Sequence, residues 1–186
     1  MIGFILLGIA VIVALWAVGG YNYLVRLNGR AKEAWADIDV QLKRRYDLVP
    51  NLIEVVKGYA AHEKGVFEEV TKARASAVSA GATGAVAEKG KAEVALTGAL
   101  RSLFAVSENY PELKANQNFL ELSRELSDTE DKIQSARRFY NTNVRDLNIG
   151  IDTFPTNILA QAFSFTKMVL FELSDEKARE PVHVSL

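Results

Sequence analysis

The stretch Phe119–Phe154, FLELSRELSDTEDKIQSARRFYNTNVRDLNIGIDTF, decides the fold. Phe119, Leu126, Ile133, Tyr140, Leu147 and Phe154 recur every seven residues, with Leu122, Thr129, Ala136, Asn143 and Gly150 at the intervening position. Seven-residue spacing of small or apolar groups makes one continuous seam on an α-helix. The seam predicts a helix of about 38 residues, ~57 Å at 1.5 Å per residue. Arg124, Glu125, Asp131, Lys132, Arg137 and Arg145 fall off the seam, as solvated flanks should. A helix with so long an apolar stripe needs other helices to cover it.

Earlier residues supply that cover. Trp35, Ile38, Leu42, Tyr46 and Val49 share one helix face, and the phase resumes after Pro50 with Leu52, Val55, Val56 and Tyr59. Phe67, Val70, Ala73 and Ala77 continue it, as do Val94, Leu96, Leu100, Leu103 and Phe104. Three glycines among small residues make Ser79–Gly90 the expected loop, and Asn109-Tyr110-Pro111 the expected break before the long seam. Pro50 admits a kinked helix or a reversal. A proline inside a helix costs about 3 kcal/mol, and legs of about 26 and 32 residues would match the seam helix, so a tight reversal at Asp47–Asn51 is expected. The fold class is therefore all-α, an antiparallel helical bundle behind an N-terminal transmembrane helix.

That first helix is read from Ile2–Gly19, IGFILLGIAVIVALWAVG, which carries no charge; every acidic and basic residue lies at or beyond Arg26. An uncharged run reaching Val25 can cross a hydrocarbon core of about 30 Å. Trp16, Tyr21 and Tyr23 sit where amphipathic rings favour headgroups. No Lys or Arg precedes the run, and it is long for the apolar region of a signal peptide, so a retained anchor is expected. Arg26, Arg30, Lys32, Lys43, Arg44 and Arg45 follow it, which predicts a short N-terminus outside and the bulk in the cytoplasm. The expected organisation is an anchor over 1–25, a cytoplasmic bundle over 26–153, and an apolar docking segment with a polar tail over 154–186.

Composition excludes several functions. Lys and Arg number 22 against 23 Asp and Glu, a net charge of −1 over 186 residues, which argues against nucleic acid as a partner. With Cys 0, disulfides, thiolate metal sites and thiol nucleophiles are excluded. The two histidines, His62 and His183, are too far apart for a paired-histidine metal motif; His62, in a helical context, reads as an exposed or rim residue. Asp37 with Asp39 and Glu68 with Glu69 do not face one another on a helix. Gly81 and Gly84 lack the Lys-Ser/Thr pair and strand context of a phosphate loop. No catalytic, cofactor or metal site is expected, and the chain reads as non-enzymatic.

Several blocks together resemble the LemA family: YNYLVRLNGRAKEAW (Tyr21–Trp35), DVQLKRRYDLVPNLIEVVKGYAAHE (Asp39–Glu63), YPELKANQNFLEL (Tyr110–Leu122), ARRFYNTNVRDLN (Ala136–Asn148) and FPTNILAQAFSF (Phe154–Phe165). The resemblance implies a bacterial single-pass membrane protein with a cytoplasmic bundle of the four-helix up-and-down type, and it implies no particular chemistry. Thr166–Phe171 is more apolar here than the family usually shows.

Two stretches remain as contact candidates. Lys43, Arg44 and Arg45 form the densest basic cluster. On a helix continuous with the anchor, Lys43 stands ~27 Å beyond Val25, well past a Debye length of about 8 Å, which favours an acidic partner or local pairing with Asp39 and Asp47 over headgroups. Phe154–Phe171 carries Phe163, Phe165 and Phe171 and is too broken by Pro155, Asn157, Gln161 and Ser164 for a second span. Docking onto the bundle is expected, with an interfacial helix on lipid as the other reading. Together these features predict a bilayer-anchored adaptor or scaffold with a membrane-protein partner and scope for homo-oligomers. The competing readings are direct organisation of lipid and an accessory role in membrane proteolysis.

Overall fold

A computed structural model describes residues 1–83 and 85–172, and every described element is helical. In chain order these are α1 (Ile2–Lys57), α2 (Lys64–Thr83), α3 (Val86–Glu108), α4 (Pro111–Lys114), α5 (Gln117–Asp152) and α6 (Thr156–Ala162). Two compact units divide them. One comprises Met1–Ile38 with Ser135–Leu170; the other comprises Asp39–Gln134 with Phe171 and Glu172.

In the second unit, the C-terminal part of α1 and the N-terminal part of α5 join α2 and α3 in an antiparallel bundle. Leu42, Val49, Leu52 and Val56 of α1, Val70 of α2, Leu96 and Leu103 of α3 and Ile133 of α5 are completely buried. Burying each such side chain contributes about 1.5–3 kcal/mol. Cross-helix contacts fix who neighbours whom. The Lys57 ammonium stands 5.6 Å over the Phe67 ring, and Phe104 and Phe119 meet edge to face at 6.2 Å. α4 starts with Pro111 in its first turn, where the missing amide costs nothing. The Asn109–Pro111 break is therefore where the sequence places it.

Three expectations in this unit need correction. α1 does not reverse at Asp47–Asn51; it continues through Pro50 to Lys57. Pro50 deprives the Tyr46 carbonyl of its helical donor four residues on. The Arg74 Nε of α2 donates to that carbonyl at 2.6 Å, so the gap in the ladder is filled from the neighbouring helix. The chain turns instead at 58–63, which places His62 in an exposed turn rather than in a helix. The loop expected over Ser79–Gly90 is almost wholly helical, since α2 ends at Thr83 and α3 begins at Val86. Gly90 serves close approach there: a Cβ would lie 2.6 Å from the Glu172 carbonyl oxygen.

The other unit packs α1 from Ala17 to Ile38 against the end of α5 and α6. The seam residues Tyr140, Asn143, Leu147 and Gly150 are buried, together with Val144. Trp35 and Tyr140 rings lie 5.1 Å apart, and a Cβ on Gly150 would lie 3.0 Å from Leu27 Cδ1. α5 is 36 residues long and stops at Asp152, so Phe154 leaves the seam and is 76% exposed. After α6 the chain turns at 163–164, and residues 165–170 return along α5 without regular secondary structure. Tyr140 donates its hydroxyl hydrogen to the Val169 carbonyl at 2.9 Å. Asn148 accepts from the Met168 amide at 3.0 Å and donates to the Met168 carbonyl at 2.9 Å.

α1 opens with the only described helix long and apolar enough to cross a membrane, and none of that apolar window is buried. Ile2, Phe4, Ile5, Leu6, Leu7, Ile12 and Leu15 are each more than 60% exposed. Side chains that would be core anywhere else are here turned outward.

Candidate functional site

The apolar stripes of α1 and α3 are interrupted by charged groups. On α1 the stripe Ile38, Leu42, Val49, Leu52 includes Arg45; on α3 the stripe Leu96, Leu100, Leu103 begins with Lys89 and Glu93. Arg45 is 3% exposed and Glu93 0%. Charges so placed need partners within the fold.

They have them. Arg45 Nη1 lies 3.5 Å from Glu93 Oε2 and 3.1 Å from Glu130 Oε2, and its Nη2 donates to Thr97 Oγ1 at 2.7 Å. Thr97 passes the chain on, donating to the Glu93 carbonyl at 2.9 Å. The Tyr46 hydroxyl donates to Glu93 Oε1, and Lys89 pairs with Asp39. Burial pushes the Glu93 carboxyl above its usual range, and the Tyr46 hydrogen bond and Arg45 charge offset part of that rise. Burial and the adjoining Glu93 push Tyr46 up as well, so the phenol keeps its proton and remains the donor.

A cleft of about 300 Å³ opens beside this network, between α3 and α5. Leu100, Phe104 and Leu126 give it an apolar floor; Arg101, Ser127 and Glu130 supply polar rims, with Arg45 at its inner end. A floor of this kind suits an apolar side chain, and the rims suit the hydrogen-bonding groups around it. Among the described residues no three His, Asp or Glu side chains are grouped to hold a metal ion.

The structure separates the residues singled out in the sequence. Lys43 and Arg44 are exposed, and Arg44 reaches Glu125 across 3.8 Å. Arg45 does not belong with them as a surface contact. It is buried, and its partners are Glu93 and Glu130 rather than Asp39 or Asp47. Phe171 is corrected in the same way: it is completely buried and lies against Gly90. Phe163 is 56% exposed and Phe165 partly covered; both rings meet Tyr21, at 4.8 and 5.8 Å. His183 lies outside the described residues. Glu93, Tyr46 and Glu130 were missed as a group, although a carboxylate and an ammonium on the α3 apolar stripe were the visible signal.

Fold and site together define an all-helical bundle with an ion network inside it, on a chain that starts with a membrane-compatible helix. Residues 34–186 match the LemA family, and the chain belongs to it. Protein LemA of Metamycoplasma hominis is 31% identical over 160 residues, covering 85% of this chain and 71% of that protein. Magnetosome protein MamQ of Magnetospirillum gryphiswaldense is 26% identical over 174 residues, covering 81% of this chain and 64% of its own length. The chain thus spans just under two thirds of that magnetosome relative. The comparisons and the apolar helix agree on a membrane-associated helical protein.

Proposed function

We propose that this protein is a non-enzymatic, membrane-anchored adaptor whose bundle holds a segment of a membrane-protein partner in the cleft between α3 and α5. The observation that carries this reading is the cleft itself: an apolar floor of Leu100, Phe104 and Leu126 bordered by Arg101, Ser127 and Glu130. Its innermost charges are already engaged with one another, so the cleft offers shape and hydrogen bonds rather than a reactive group. The basic residues that follow the apolar run support an orientation with the bundle in the cytoplasm. A reporter fused after Leu186 should therefore be active only on the cytoplasmic side.

The cleft is tested with a photoreactive amino acid at Ser127 in native membranes, with the same group at Val78 as control. A discrete adduct at Ser127 that disappears when Leu100→Trp fills the cleft is the expected result. Equal adducts at both positions, or an Ser127 adduct indifferent to Leu100→Trp, would reject the proposal.

A further inference from the structure

α6 is held on α1 by one face only. Leu159 and Ala160 form a buried cluster with Leu24, with Ala17, Ile151 and Phe165 packed against it. The approach is close at Gly20, where a Cβ would come within 2.5 Å of Leu159 Cδ1. Tyr21 then engages Phe163 and Phe165 edge to face. These contacts fix the height of α6 along α1 at residues 17–24.

The other face is open and uncharged, with Gln161 beside its apolar side chains. Phe154 is 76%, Ile158 54% and Phe163 56% exposed, and no Asp, Glu, Lys or Arg occurs from Thr153 to Thr166. The nearest charges on either side, Asp152 and Lys167, pair with each other at 2.7 Å. Water is a poor neighbour for such a patch. Its height on α1 identifies a better one. The apolar run from Ile2 to Gly20, exposed except at Ala17 and Gly20 where α6 covers it, rises ~28 Å at 1.5 Å per residue, against a hydrocarbon thickness of about 30 Å. The boundary between acyl chains and headgroups consequently falls at Gly20–Tyr21, the level at which Phe154, Ile158 and Phe163 project.

We infer that α6 and its flanking phenylalanines form an interfacial collar that inserts into the phospholipid bilayer beside the point where α1 leaves it. Apolar side chains enter the acyl boundary, while the Asp152–Lys167 pair stays among headgroups. Tyr21 and Tyr23 at the same level have rings suited to acyl contact and hydroxyls suited to water. The collar gives the protein a second membrane contact, which resists tilting and withdrawal of α1. It is independent of the cleft and of any partner.

The chain has no cysteine, so Ile158→Cys, Phe163→Cys and Phe139→Cys each offer a single site for an environment-sensitive nitrobenzoxadiazole dye. Phe139 is 58% exposed on α5 of the same unit, ~20 Å along the helix from Asp152, and serves as the reference. Full-length labelled protein is placed in vesicles of phosphatidylethanolamine and phosphatidylglycerol, with far-UV circular dichroism confirming equal helix content. Lipids carrying a nitroxide near the headgroup should quench sites 158 and 163 about twofold or more above site 139, as an interfacial segment requires. Equal quenching at all three sites would overturn the inference, with iodide accessibility then separating two causes. Iodide reaching 158 and 163 would mean an aqueous face, and exclusion of both quenchers would mean a protein covering it.

Discussion

The unit built on Asp39–Gln134 and the unit built on Met1–Ile38 with Ser135–Leu170 depart from the usual partition of side chains in opposite directions. The first puts charge inside: Arg45 and Glu93 occupy stripe positions where leucine would be ordinary. The second puts hydrocarbon outside, along α1 and on Phe154, Ile158 and Phe163. The departures are resolved differently. Buried charge is answered within the fold, atom by atom, by Glu130, Thr97 and Tyr46. Exposed hydrocarbon has no such internal answer and depends on the surroundings. Substitutions should consequently act on stability in the first unit and on environment in the second.

The largest effect is expected at Arg45. Arg45→Ala leaves Glu93 buried without its cation and should cost about 3–5 kcal/mol in denaturant unfolding of the detergent-solubilised chain. Arg45→Met with Glu93→Leu should recover most of that loss, because removing both charges removes the uncompensated one. A double variant as unstable as Arg45→Ala would show that the network does more than satisfy itself. Next comes Arg74→Ala, which strips the Tyr46 carbonyl of its donor beside Pro50 and should cost about 1–3 kcal/mol by the same measurement. Restoring the ladder with Pro50→Ala in that background should return the loss.

The pH response is gentler. Because Glu93 titrates higher in the folded state than in the unfolded chain, its contribution is fully present below its unfolded value and is lost as pH rises through the folded one. The stability of the parent relative to Glu93→Gln should therefore decline as pH is raised from about 4.5, the ordinary glutamate value, and then level off. A difference that grows with pH would mean that Arg45 outweighs burial. The smallest effect is expected at the open face of α6: Phe154→Ser and Ile158→Ser should each change detergent stability by less than about 0.5 kcal/mol, as exposed positions do. A loss comparable to Arg74→Ala would place those side chains in a core and erase the contrast.

Periodicity explains how much could be read beforehand. Phe119, Leu126, Ile133, Tyr140 and Leu147 define a helix and its buried side by spacing alone, and the structure buries all of them. Pro50 could not be settled that way, because the donor that rescues the helix, Arg74, belongs to the next helix, 28 residues beyond the Tyr46 carbonyl it reaches. Gly90 misled for a related reason: its lack of a side chain answers the arrival of Glu172, not a local turn. Arg45 adjoins Lys43 and Arg44 in the sequence but not in the fold. Its phase, seven residues from both Ile38 and Leu52, already assigned it to the interior. Phe171 was grouped with Phe163 and Phe165 by composition, although the chain carries it past the end of the return segment.

That return segment is held by main-chain recognition. Asn148 presents a carboxamide to both polar groups of Met168, in the manner of one residue of a neighbouring β-strand, and Tyr140 secures the next carbonyl. Neither contact reads a side chain. Substitution at Met168 and Val169 can thus leave the path of the peptide constant, whereas the asparagine and tyrosine on α5 are not interchangeable with anything shorter. Sliding the segment by a single position would forfeit all three bonds together, so two ordinary side chains act as a ratchet that sets where the polypeptide goes next.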